Sequence, residues 1–354
     1  MSKVQNFDSM KVKKVYLILF ISFSVLLISG VFYGYQIIKH PNILVDKEEA
    51  RAFYIPKGAD FKTVQDSLYH GGYVNDLVSF SFLAKLMKYN ENVKSGRYLL
   101  KPKMTNIEAI RYLRSGVQMP VNITFNNIRL KEDLAEKVTK NIALNKVDFL
   151  EVLNDPKVAE KNGFISENFM TMFIPNTYEV FWDVSAENLV ERMSKEYKRY
   201  WNEERKSKAD KIGLSPVEVS ILASIVYAES KKVDEMPKVA GLYMNRINRN
   251  IALQADPTLI FAAQDFTIKR VLNKHKEIES PYNTYKYAGL PPGPINLPSI
   301  PAIDAVLNYK KHDYLFMCAK EDFSGYHNFA KTLSQHMRYA RLYQNELNKA
   351  KRYK

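Results

Sequence analysis

Cysteine is almost missing from this chain: Cys318 stands alone in 354 residues, so no intrachain disulfide can form and the fold must rest on burial and hydrogen bonding. Its surroundings, Tyr314-Leu315-Phe316-Met317 and Ala319, hold no basic group that would favour a thiolate, and a buried structural thiol is expected. Histidine is scarce as well. None of the six stands in a zinc-type spacing such as His-Glu-x-x-His. The nearest approaches, His327 with His336 and His275 with Glu277 and Glu279, do not make a metal site, and neither metal nor cofactor is expected. No internal repeat or low-complexity run is present, which excludes solenoids, and 46% apolar residues can fill one large or two modest cores.

Charged side chains are absent from Val15 to Ile38, a stretch of about 24 residues against the roughly 20 that span a bilayer core. Residues 15–38 are therefore expected to form a transmembrane helix. Lys3, Lys11, Lys13 and Lys14 precede it, whereas Lys39 and His40 are soon followed by Asp46, Glu48 and Glu49. The positive-inside bias then leaves residues 1–14 in the cytoplasm and everything after Pro41 outside the plasma (inner) membrane, in the periplasm. A cleaved signal peptide would need a shorter apolar core and a small-x-small site, which Tyr35-Gln36-Ile37-Ile38-Lys39-His40 lacks.

Acidic residues are outnumbered, 38 against 52 Lys and Arg, giving a net charge of +14. Such a balance ordinarily raises nucleic acid as a partner, but an extracytoplasmic chain meets none; anionic lipid or an acidic wall polymer fits better, and most of these cations read as solvated faces. The basic tail Lys349-Ala350-Lys351-Arg352-Tyr353-Lys354 reads as a helix end or frayed terminus.

The fold class expected is α+β, with the transmembrane helix, a small subdomain over 39–119 and a larger domain over 120–354. In the small unit, Ala52–Pro56 reads as a strand, Phe61, Val64 and Leu68 as one helix face ending at Gly71-Gly72, Gly96–Leu100 as a second strand, and Thr105-Asn106-Ile107-Glu108 as a capping box opening a helix that ends at Gly116. Strand, helix, strand and helix in this order resemble the LysM-like subdomain that binds glycan in cell-wall proteins. A packing unit without a ligand is the alternative. Val121–Phe125 begins the larger domain, with the boundary placed near Met119-Pro120.

Ser215-Pro216-Val217-Glu218 combines a capping serine, proline at the first helical position and glutamate at the third, a strong local helix start. Along that helix Val217, Ile221, Leu222, Ile225 and Val226 share a face, and Glu229 falls on the same stripe. A carboxylate there is costly to bury ionised, so its pKa should rise toward neutrality, as a general acid requires. The bland alternative is a core-edge glutamate paired with Lys231 or Arg246.

Leu222-Ala223-Ser224-Ile225-Val226-Tyr227-Ala228-Glu229-Ser230 resembles the catalytic helix of the endolytic murein transglycosylase family (YceG-like, MltG). The likeness continues through Val239–Arg246, Leu253–Thr258, Ser280–Tyr285, Gly289–Ile295, His327-Asn328-Phe329 and His336, in the family's order and spacing. It implies that Glu229 is catalytic and that Gln254, Asp256, Tyr282, Asn283, Tyr285, Pro291, Gly293 and His327 line the substrate cleft. Each also has a structural reading. Asp256-Pro257 suits a helix N-cap, Pro291–Pro294 must be rigid, and Tyr282 and Tyr285 could be core aromatics. Where many members carry an acid two positions before the catalytic glutamate, this chain has Tyr227, leaving one carboxylate on the turn.

One carboxylate suits a lytic transglycosylase better than a two-carboxylate hydrolase. The resemblance implies cleavage of nascent peptidoglycan strands within the chain, 1,6-anhydro-N-acetylmuramic acid ends, termination of elongation, and penicillin-binding synthases as neighbours. The alternatives are a noncatalytic glycan-binding scaffold of the cell-wall synthesis machinery and a water-adding muramidase.

Overall fold

A computed structural model of the chain describes residues 2–45 and 49–352, with side chains described over 13–45 and 49–349. Asp46, Glu48 and the tail's Tyr353 and Lys354 lie outside the described residues, and so do the side chains of Lys3, Lys11, Lys351 and Arg352. The chain divides into two compact units, 1–121 with 181–183, and 122–180 with 184–354.

The first unit opens with helix α1 (Ser2–Lys39), whose stretch Lys13–Lys39 is apolar over 27 residues, with none of it buried. At 1.5 Å per residue that stretch is about 40 Å long, enough to cross a hydrocarbon core of roughly 30 Å. After it come β1 (Arg51–Ile55), α2 (Phe61–His70), α3 (Leu77–Leu86), β2 (Gly96–Leu100) and α4 (Asn106–Ser115). β1 and β2 pair antiparallel, from Arg51 opposite Leu100 to Ile55 opposite Gly96. Their alternating inward residues Phe53, Ile55, Tyr98 and Leu100 pack on Val64, Leu68, Phe80, Ile110 and Leu113. The Thr105–Glu108 capping box and the left-handed Gly116 stand where the sequence placed them. Helix α3 is an addition to the expected order. Its segment LVSFSFLAKL alternates like a strand at Val78, Phe80 and Phe82, but Asp76 caps it by accepting from Val78 N and Ser79 N.

The second unit takes in β3 (Val121–Phe125) from its second residue, then α5 (Lys131–Thr139), α6 (Lys146–Asn154), α7 (Pro156–Lys161), β4 (Asn176–Val180), α8 (Ala186–Tyr200) and α9 (Glu203–Lys211). Next come α10 (Pro216–Glu229), α11 (Met236–Asn248), α12 (Asp256–Ala263), α13 (Asn273–Lys276) and α14 (Ile300–Leu307). The unit closes with β5 (Phe316–Ala319), β6 (His327–Ala330) and α15 (Leu333–Arg352). β3 pairs with β4, and β5 runs antiparallel to β6 with Ala319 opposite His327. The fold is mixed α+β, with helices dominating. The core of this unit gathers around α10, where Leu222, Ile225 and Val226 meet Val239 and Tyr243 of α11, Ile303 and Val306 of α14, and Trp201.

Candidate active site

The site is built on α10. Its first turn forms the expected capping box: Ser215 Oγ accepts from Glu218 N at 3.2 Å and Glu218 Oε2 from Ser215 N at 2.8 Å, with Pro216 at the first position. The apolar face is wider than the single stripe read from periodicity, because every residue from Val219 to Val226 is buried. A helix covered all round needs its polar side chains satisfied internally. Ser220 donates to Pro216 O and Ser224 to Ile221 O. Ser224 also accepts from Ile295 N at 3.1 Å while its carbonyl accepts from Asn296 Nδ2 at 2.9 Å, which ties the proline-rich loop to this helix.

Glu229 is the last residue of α10, delivered to the edge of a cavity of about 420 Å³. Tyr243, 2% exposed on α11, donates its hydroxyl to Glu229 Oε1 at 2.7 Å. Burial pushes the Glu229 carboxyl up to about 7; the Tyr243 hydrogen bond and the proximity of His327 oppose the rise, and Asp256 adds to it. Neither cation offered by the core-edge alternative pairs with it. Lys231 Nζ sits over the Tyr227 ring at 3.2 Å, and Arg246 is engaged with backbone carbonyls.

Arg246 organises a further stretch of the cavity lining. Its Nε donates to Leu315 O at 2.6 Å, and its Nη1 reaches Ala252 O, Leu253 O and Gln254 Oε1 at 2.8, 3.2 and 3.1 Å. Gln254 holds a left-handed backbone, φ 52°, with its N–H donated to Thr284 O at 2.9 Å. Such a conformation in a non-glycine residue costs free energy and persists because both ends are pinned. Asp256 begins α12, but Ala255 is the N-cap, and the Asp256 carboxylate instead accepts from the Tyr285 hydroxyl at 2.5 Å. Gln254, Asp256, Tyr285 and His327 line the same cavity as Glu229.

Tyr282, Asn283, Pro291 and Gly293 are not among the lining residues of that cavity. Asn283 is fully buried and donates its amide to Lys276 O and Ile278 O at 2.9 and 2.8 Å, so its polar atoms hold the loop together. The Tyr282 ring packs on Phe261 at 4.7 Å. Pro291 and Gly293 are buried, and a Cβ on Gly293 would collide with the Glu167 carbonyl oxygen.

Three contributors make contacts that the sequence does not show. Tyr243 and Arg246 lie in the Val239–Arg246 segment, but nothing in their spacing shows that one meets Glu229 and the other Leu315 and the Ala252–Gln254 turn. Glu235, 6% exposed, had no signal at all; its carboxylate accepts from His327 N at 2.8 Å, His327 Nδ1 at 2.9 Å and Ser230 Oγ at 3.0 Å. Burial works against the charge on Glu235, but those hydrogen bonds and His327 hold its carboxyl below the ordinary range. Cys318 also lines the cavity, and burial raises its thiol, so it stays protonated.

Among known proteins, the endolytic murein transglycosylase of Streptococcus pneumoniae D39 is 28% identical over 342 residues, covering 86% of this chain. The chain spans 61% of that relative's length. The endolytic murein transglycosylase of Bacillus subtilis 168 is 29% identical over 330 residues, with 88% of this chain and 89% of the relative covered. The crystal structure of a yceG-like protein from Listeria monocytogenes superposes with a TM-score of 0.55 at 26% identity, over 82% of this chain and 99% of that one. The match to the YceG-like family runs from residue 53 to residue 342, from within β1 past every residue that lines the Glu229 cavity, and on that span the chain belongs to the YceG-like family.

Proposed function

We propose that the protein is an endolytic peptidoglycan lytic transglycosylase, a lyase, with Glu229 as its acid and base. The observation that carries this reading is a carboxyl lining a cavity and tethered by one phenol, Tyr243, where burial pushes it up to about 7. In the acid half Glu229 protonates the oxygen leaving C1 of N-acetylmuramic acid, while the substrate's acetamido group supports the developing cation. In the base half the Glu229 carboxylate takes the proton of the same sugar's C6 hydroxyl, which attacks C1 and closes the 1,6-anhydro ring. A pKa near the operating pH suits both halves, since one group must give and then take a proton. Tyr285 and Gln254 supply hydrogen-bonding groups on the same cavity.

A second reading rests on Asp256. It is a second carboxylate on the same cavity, and two carboxylates about a glycosidic bond are what a water-adding muramidase uses. Digestion of uncrosslinked strands by the full-length chain in detergent, run in ¹⁸O-water, separates the two. The lyase leaves anhydro ends without the label; a hydrolase leaves reducing ends carrying one ¹⁸O.

Removing the Tyr243 hydroxyl should shift the pH profile. That hydrogen bond favours the carboxylate, so Tyr243→Phe raises the Glu229 pKa further, and the protonated acid survives to higher pH. The descending limb of kcat/KM is expected to move up by about one pH unit. An unmoved limb would show that this bond does not tune the titrating group.

The reading extends to the rest of the chain. The apolar stretch Lys13–Lys39 supports a single-pass anchor, with lysines on its N-terminal side favouring a cytoplasmic N-terminus and a periplasmic site. The antiparallel β1–β2 pair with helices packed on it supports a LysM-like glycan-binding unit. Strand cutting at the outer face of the plasma membrane makes penicillin-binding synthases the expected neighbours.

A further inference from the structure

Glu235 belongs to no part of the mechanism above, yet it is a nearly inaccessible carboxylate with three hydrogen-bond donors converging on it. One donor is the hydroxyl of Ser230, the residue that follows Glu229 and caps α10. The other two are the backbone N–H and the Nδ1 of His327, 92 residues away at the start of β6. Ser230 Oγ in turn accepts from Lys232 N at 3.2 Å, so the turn leaving the helix is itself closed on this group. A single buried carboxylate therefore joins the turn bearing Glu229 to the strand that brings a histidine to the cavity wall.

The imidazole contact has a chemical consequence. Histidine carries one proton on two distinct ring nitrogens when neutral, and the partner of one nitrogen decides the role of the other. An ionised carboxylate can only accept, so the nitrogen facing Glu235 must be Nδ1–H. Nε2 has no protein partner among the described residues and is the ring nitrogen left for the cavity. In the neutral ring it is an acceptor for a sugar hydroxyl; in the charged ring it is a donor whose charge bears on Glu229.

Resting on the reading of Glu229 as acid and base, we propose that Glu235 is a positioning residue: it fixes His327 as the Nδ1–H tautomer and presents Nε2 to the substrate. It touches no reacting atom and acts through His327. The arrangement is the logic by which a buried acid orients a catalytic imidazole, transferred to a site whose proton donor is a glutamate.

The test uses the full-length chain in detergent, labelled with ¹⁵N-histidine, with His327 assigned by its loss in His327→Asn. At about pH 8, where an ordinary imidazole is neutral, the wild type should show the Nδ1–H pattern and Glu235→Gln the Nε2–H pattern, because glutamine's NH₂ donates to Nδ1. On uncrosslinked strands Glu235→Gln should lower kcat by roughly tenfold to a hundredfold with KM nearly unchanged. In the His327→Asn background the same change should cost nothing further. An Nε2–H ring in the wild type, an unchanged kcat after the tautomer has flipped, or an additive loss in the double variant overturns the proposal. Should Glu235→Gln fail to fold, the wild-type tautomer decides alone. If the wild type cuts no strands, the catalytic reading fails separately, since the tautomer is read without turnover.

Discussion

Glutamine in place of Glu229 is expected to lower strand cleavage by about 10²- to 10⁴-fold, the range a positioned general acid contributes. Strand binding should survive, because the amide keeps the shape of the side chain and its oxygen still accepts from Tyr243. The same substitution should change stability with the opposite sign. Burial raises this carboxyl from 4.5 to about 7, so the folded state prefers the protonated form. The stability tied to that preference is fully present below about pH 4.5 and is lost as pH rises through 7; beyond it, folding carries a buried charge worth up to roughly 3 kcal/mol. Glu229→Gln should therefore unfold at higher urea than the wild type at pH 8 and at the same urea at pH 4. Equal midpoints at pH 8 would mean that Glu229 ionises at little cost, and the case for it as an acid near neutrality would weaken.

Arg246→Met should lower stability by at least about 3 kcal/mol, from four acceptors losing their donor, three of them backbone carbonyls. Methionine fills much of the volume but satisfies none of them. Arg246→Lys should rescue little, since one ammonium cannot span the positions that the guanidinium fork reaches on both sides. Thermal unfolding of the two variants measures this directly. A wild-type melting temperature for Arg246→Met would show that the β5 wall and the left-handed Gln254 turn are held by other contacts. Activity should fall along with stability, because Gln254 and the Leu315–Ala319 wall both enclose the cavity.

The parts of this account legible in the sequence were those encoded within one turn of chain. The Ser215–Glu218 capping box announced α10 before any packing was known, and Glu229 could be placed on its buried side by counting from Ile225 and Val226. The Thr105–Glu108 box did the same for α4. Helix α3 is not legible because Val78, Phe80 and Phe82 alternate like a strand and mask the 3.6 period, so that only the Asp76 cap distinguishes it. The pairs that tune the site join elements far apart in sequence, Glu229 to Tyr243 and Glu235 to His327, and periodicity carries no information about them.

Polar residue types leave two uses open. Asn283 offers a donor and an acceptor, qualities equally suited to a sugar and to a loop, and here they are used on Lys276 O, Ile278 O and the N–H groups of Tyr285 and Lys286. Asp256 reads equally as a cap, because proline follows it, and as a cleft residue; its carboxylate accepts from the Tyr285 hydroxyl and lines the cavity. Asp256 is a second carboxylate on the Glu229 cavity, off the turn on which Glu229 stands alone. Choosing between lyase and hydrolase thus falls to the products.

The most direct measurement is the mass spectrum of strand ends after digestion of uncrosslinked peptidoglycan by the full-length protein and by its Glu229→Gln variant. Internal cuts bearing 1,6-anhydromuramyl ends, made by the wild type and absent with the variant, are the predicted result; intact strands with the wild type, or the same ends made by both proteins, would contradict it.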